Sequence, residues 1–237
     1  MGFDLDTIAY TVSVWTIPVL LAVTLHEAAH GWVAMRLGDP TAKVLGRVTF
    51  NPFKHIDPVG TVILPALLLL ASGGRMMFGF AKPVPVDFRR LGNPRRDMIL
   101  VAAAGPGMNI LIAVLCAAAF HLTVFLDGDV RDWVGHNLGN AIWINVLLAV
   151  FNMLPIPPLD GGRVAVGILP WPLARRLAGL ERAGIFIVLG AIFLLPWIGG
   201  KMGLDLNVFR WLVIAPSVHV QEWILSLVGL GLSLIHI

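Results

Sequence analysis

Charge is scarce in this chain: 13% of its 237 residues are charged and 57% are hydrophobic, where an ordinary soluble domain carries roughly 25% charged residues. With a mean hydropathy of +0.84, the composition excludes a soluble enzyme and reads as an all-α polytopic membrane protein. Cysteine is nearly absent. The single Cys116 excludes an intramolecular disulfide and a cysteine-based zinc site, and its apolar surroundings mark it as a packing residue. Internal repeats, low-complexity segments and any stretch polar enough for a soluble domain are also lacking. A basic N-terminal region is missing too. Asp4 and Asp6 stand there instead, so no cleavable signal peptide is expected and the first apolar run is retained. The net charge of +3 and pI of about 9.5 do not point to nucleic acid. The basic residues sit in loops between apolar runs, where lipid headgroups account for them.

Five apolar runs are candidates to span a bilayer: Ile8–Leu37, Asp97–Leu126, Gly139–Pro155, Ala183–Ile198 and Phe209–Leu230. A sixth, Val59–Ser72, has only 14 residues and contains Pro65, which suits a re-entrant or interfacial segment better than a span of ~20 residues. If that segment does not cross, fourteen of the seventeen basic residues fall on one side. Arg131, Lys201 and Arg210 remain on the other, with Asp4, Asp6, Asp127, Asp129, Asp132 and Asp205. The basic side is expected to be cytoplasmic in the plasma membrane, with the N-terminus outside. The first and third spans then run in the same direction, and the exit of the third reaches the depth of the cytoplasmic end of the first.

At that end of the first run lies H-E-A-A-H, residues 26–30, in a stretch with no other charge from Thr7 to Met35. Residues four apart on a helix share a face, so His26 and His30 can point at one metal ion. Glu27 stands where the general base of such sites sits. Two imidazoles and a carboxylate in apolar sequence are costly, and by default mark function.

A catalytic zinc site has three protein ligands and one open position. Most downstream carboxylates lie in polar loops and read as solvated charges. Asp160 differs, because it follows a span directly in F-N-M-L-P-I-P-P-L-D-G-G-R, residues 151–163. Pro155, Pro157 and Pro158 forbid a regular helix there, and Gly161 and Gly162 permit a sharp turn or a close approach. Asp160 could equally be a helix N-cap, and Glu181 is the rival third ligand. His55 reads as interfacial or structural, and His121, His136 and His219 have no partner at metal-ligand spacing.

H-E-A-A-H on an apolar helix, A-G-P-G-M-N at 104–109 and N-M-L-P-I-P-P-L-D-G-G at 152–162 together resemble the site-2 protease family of intramembrane zinc metalloproteases. The segments at 46–61 and 81–87 resemble its small bacterial and archaeal members. The likeness covers about residues 8–165. It implies a three-helix catalytic core there, with further helices at about 183–230, all in one domain of residues 1–231. It also implies one Zn2+ per chain held by His26, His30 and Asp160, with Glu27 as catalytic acid and base. Asn152 matches a family asparagine that holds the substrate backbone, and Asn109 matches another that is expected to help bind substrate. No insertion is large enough for a PDZ domain.

The implied reaction is hydrolysis of peptide bonds in or near transmembrane segments of membrane-protein substrates. A substrate helix must unfold locally first, and an extended Asn152–Leu159 could pair with it as a strand. Two other functions use the same residues: a membrane metal transporter or sensor, and an inactive scaffold that binds membrane helices. Neither needs Glu27 as a base. The last six residues, L-S-L-I-H-I at 232–237, resemble the translated end of a sequencing adapter and are read as an artefact replacing the natural C-terminus.

Overall fold

The computed structural model describes residues 5–71 and 79–231, which are mostly helical with no strand among them. The suspect tail at 232–237, Asp4 and Arg75 lie outside the described residues. In chain order the α-helices are α1 (Leu5–Arg36), α2 (Thr41–Val44), α3 (Leu64–Ala71), α4 (Pro94–Phe120), α5 (Gly128–Asn152), α6 (Asp160–Ile168), α7 (Trp171–Ala178), α8 (Glu181–Leu189), α9 (Leu195–Met202) and α10 (Ala215–Leu227). Single π-helical turns join α8 to α9 and lead into α3 and α10.

Among the described residues, four helical stretches are long and apolar enough to cross a membrane: Leu5–Arg36, Pro94–Phe125, Gly128–Asn152 and Glu181–Met202. The third starts at Gly128 rather than Gly139, because its polar first turns are helical although not apolar. The fifth expected span folds as the π-turn Arg210–Ile214 followed by α10. It falls outside those four, since Arg210, His219, Gln221 and Glu222 dilute its apolar content.

The distribution of side-chain size establishes the environment. The interior is lined by small residues: Ala22 and Ala34 of α1, Ala102, Ala113 and Ala117 of α4, and Ala141 and Ala149 of α5 are all buried. Leu20, Leu21, Leu100, Leu111, Leu115, Phe186 and Trp211 face outward. Water would punish so much exposed apolar surface, whereas a lipid surround makes close packing through small residues the favourable arrangement. α1, α4 and α5 pack against one another as a three-helix core. α10 closes its far end by seating Ile224 and Leu225 on Ala113, Ala117, Ile142 and Val146.

The short apolar segment folds as the π-turn Pro58–Ile63 and α3, too short together to count among the four candidate spans. Asp57 caps its start by accepting from the Val59 and Gly60 amides. Phe80 N–H donates to the Gly60 carbonyl at 3.0 Å, and Thr61 donates to the Phe80 carbonyl at 2.9 Å.

Candidate metal centre

α1 places His26 and His30 one turn apart on the face packed against α4, with both side chains buried. α6, packed against α4, brings in Asp160. Asp160 Oδ2 lies 3.2 Å from His26 Nε2 and 3.3 Å from His30 Nε2, and the two Nε2 atoms are 3.0 Å apart. Among the described residues, this trio is the one group of histidine, cysteine or acidic side chains able to share a metal ion.

Each ring is fixed from behind. His30 Nδ1 donates to the Val101 carbonyl at 2.7 Å, and His26 Nδ1 donates to Asn109 Oδ1 at 2.6 Å. A backbone carbonyl only accepts, so His30 carries its proton on Nδ1. The Asn109 amide presents oxygen to His26 because its Nδ2 donates to the Ala22 carbonyl at 3.1 Å and to Asn145 Oδ1 at 2.8 Å. With both protons on Nδ1, the two Nε2 lone pairs and a carboxylate oxygen converge with no hydrogen between them. Three acceptors in apolar surroundings repel unless a cation joins them. Their separations match adjacent corners of a tetrahedron with bonds of ~2.0–2.1 Å, about 3.3 Å on edge. Nitrogen and oxygen donors of this kind, each with an outer partner, suit zinc.

α4 makes room for the trio at Gly105. A Cβ there would stand 2.4 Å from His30 Nε2 and 2.6 Å from His26 Nε2. On the other side, the segment after α5 folds tightly to deliver Asp160. A Cβ on Gly162 would meet the Pro157 nitrogen at 2.3 Å and one on Gly161 the Met153 carbonyl oxygen at 2.2 Å. Asp160 is the first residue of α6, whose N-cap is Leu159, so the N-cap reading of Asp160 does not apply. The rival Glu181 is on the surface, 57% exposed and 3.6 Å from Arg163.

The proline-rich segment is not the extended strand template expected of it. Met153 donates to Ala149, Leu154 to Phe151, Ile156 to Leu154 and Leu159 to Ile156. Pro155, Pro157 and Pro158 have no N–H. Every donor from Met153 to Leu159 is thus engaged or missing, and no edge is left for a partner strand. Asn152 sits at the end of α5 with Nδ2 on the Leu148 carbonyl at 3.0 Å. Its Oδ1 accepts no hydrogen bond among the described residues. Asn109 departs from expectation more strongly. It is fully buried behind His26 with both ends of its amide engaged, and has no polar atom left for a substrate.

Glu27 is not among the converging acceptors; its Oε2 accepts from the Val84 amide at 2.7 Å. Val84 belongs to a strap without regular secondary structure, residues 79–87. Lys82 N–H donates to the His55 carbonyl at 2.9 Å, and Asp87 N–H to the buried Asp39 at 2.7 Å. Arg47 reaches the Lys82 carbonyl at 2.7 Å. His55 is buried beneath the strap, and burial pulls its pKa below the usual value. His121, His136 and His219 bond to backbone carbonyls on the surface, away from the trio. Sequence reasoning missed Val101, Gly105, Val84 and Asn145. Only Gly105, inside A-G-P-G-M-N, carried a signal.

The family model for Peptidase family M50 matches residues 14–128 and 122–196. YwhC of Bacillus subtilis, whose name assigns it provisionally as a zinc metalloprotease, is 37% identical over 187 residues, 76% of this chain and 80% of that protein. Rip2 of Mycobacterium tuberculosis, named in the same way, is 32% identical over 181 residues, 76% of this chain and 66% of that protein. The regulator of sigma-E protease RseP of Salmonella typhimurium is 26% identical over 141 residues, 57% of this chain and 30% of that protein. No solved structure matches the chain. With its family match running through the histidine pair, the proline-rich segment and Asp160, the chain belongs to peptidase family M50, the site-2 proteases.

Proposed function

We propose that the chain is an intramembrane zinc endopeptidase that cuts membrane-protein substrates within or near their transmembrane segments. The observation that carries this reading is the convergence of His26 Nε2, His30 Nε2 and Asp160 Oδ2, with the carboxylate of Glu27, the residue next to His26, left out of the group and held by the Val84 amide. A transporter or sensor site has no use for that fourth group.

His26, His30 and Asp160 would hold one zinc ion, which when bound supplies Lewis acidity for water and the scissile carbonyl at neutral pH. Glu27 takes the proton of the attacking water and returns it to the leaving amine nitrogen. The Val84 amide occupies Oε2 and thereby orients the carboxylate, leaving Oε1 for the proton transfer. Asn152 is the substrate-binding candidate, since its Oδ1 can accept from an unfolded substrate backbone. We assign Asn109 to positioning His26 rather than to substrate. The fourteen basic residues on one side support an orientation with the site toward the cytoplasm and the N-terminus outside.

The test compares membrane fragments released by the wild-type protein and by Glu27→Gln in the same cells. Fragments ending inside transmembrane sequences and dependent on Glu27 support a protease. Release unchanged by the substitution would leave the transporter or scaffold reading in its place.

A further inference from the structure

Behind the metal ligands, three helices are joined by a chain of side-chain amides with a fixed polarity. It starts at the Ala141 carbonyl of α5, which accepts from Asn145 Nδ2 at 2.8 Å. Asn145 Oδ1 accepts from Asn109 Nδ2 on α4 at 2.8 Å, and that same nitrogen donates to the Ala22 carbonyl of α1 at 3.1 Å. Asn109 Oδ1 then accepts from His26 Nδ1 at 2.6 Å. Both asparagines are fully buried.

The two ends decide every orientation between them. A backbone carbonyl only accepts, so Ala141 forces the nitrogen of Asn145 toward itself and the oxygen toward Asn109. That oxygen, with Ala22, forces the nitrogen of Asn109 inward and its oxygen toward His26. The oxygen then fixes the proton of His26 on Nδ1 and frees Nε2 for the metal. A flipped Asn109 would do the reverse, leaving His26 with Nε2–H, which cannot ligate.

We infer that Asn145, which does not touch the metal ligands, is a positioning residue whose amide holds Asn109, and through it His26, in the metal-binding tautomer. The inference rests on the zinc site proposed above. A mere helix-to-helix contact would explain burial and bonding equally well, so the test must separate the two. Asn140, also on α5, supplies the control: its Nδ2 donates to the Val14 carbonyl of α1 at 3.1 Å, away from the site.

The experiment titrates cobalt(II) into the metal-free protein in detergent micelles and reads the visible absorption of the bound ion. Asn145→Leu is expected to weaken cobalt binding about tenfold, the lower end for loss of an outer partner. Asn140→Leu should stay within about twofold of wild type. Asn145→Asp should recover most of the affinity, because a buried neutral carboxyl can donate to Ala141 and accept from Asn109. Should Asn145→Leu fail to fold, Asn145→Ser, whose hydroxyl is too short to reach Asn109, carries the same expectation. Unchanged affinity in the Asn145 variants, or an equal loss in Asn140→Leu, overturns the inference and leaves the zinc site standing. Wild-type protein that binds no cobalt removes the site and the inference together.

Discussion

His30 is held by Val101: the backbone carbonyl of one helix accepts the Nδ1 proton of the other at 2.7 Å. One turn further along α4, Gly105 leaves the space that the imidazole fills. The carbonyl fixes the tautomer and the missing side chain fixes the distance, so α4 sets the metal centre without contributing a ligand.

Gly105→Ala should therefore abolish metal binding while leaving the fold intact. The added methyl would lie 2.4 Å from His30 Nε2 and 2.6 Å from His26 Nε2, where the ligand atoms converge. Alanine favours a helix over glycine by ~1 kcal/mol, which offsets part of the cost of displacing two rings held from behind, so the helix should still form. Gly107→Ala, with nothing within 4 Å, should change neither. Zinc content of the purified variants and their thermal unfolding check both expectations.

Asp160→Asn should lower zinc affinity by at least tenfold, because it removes the one anionic ligand from a site with two neutral ones. Glu181→Gln should leave zinc affinity unchanged and alter stability by less than about 0.5 kcal/mol, as expected for an exposed ion pair. Equal losses in the two variants would place the third ligand elsewhere.

Arg47→Ala loosens the strap that delivers the Val84 amide to Glu27. Arg47 is buried and reaches the Lys82 carbonyl at 2.7 Å. The expected outcome is a fall in kcat of about tenfold with zinc content unchanged, less than the ~10²–10⁴-fold for losing a general base outright, because Glu27 is still present. Parallel measurement of turnover and metal content separates this from damage to the ligands.

The non-crossing reading of the short apolar segment predicts sidedness. In a Cys116→Ala background, single cysteines at Val44, Phe53 and Trp171, all exposed, should react with a membrane-impermeant maleimide from one face. A cysteine at Val130 should react from the other. Labelling of Val44 and Trp171 from opposite faces would contradict a segment that enters and returns.

Much of this site was legible in the sequence, for physical reasons. H-E-A-A-H announces itself because charge in apolar sequence is expensive, and Asp160 because prolines and glycines isolate it after a span. The membrane fold followed from composition. Other features were not legible. Val101 and Val84 act through backbone groups, which any residue would supply. Asn145 looks like ordinary helix glue until the polarity of its bonds is traced. The proline-rich segment misled because prolines suggest extended backbone, whereas here turns consume the remaining donors. Asn109 matched a motif correctly, but the motif does not state that its amide faces a ligand rather than a substrate.

The central claim is that three residues hold zinc while a fourth moves the proton. It is tested most directly by measuring zinc content and cleavage of a transmembrane substrate on the same purified samples of wild type and Glu27→Gln. One zinc ion per chain is expected in both, with cleavage inside the membrane segment by wild type and a loss of at least about a hundredfold in the variant, the scale for removing a general base. Cleavage by Glu27→Gln at the wild-type rate, or wild-type cleavage without zinc, would contradict it.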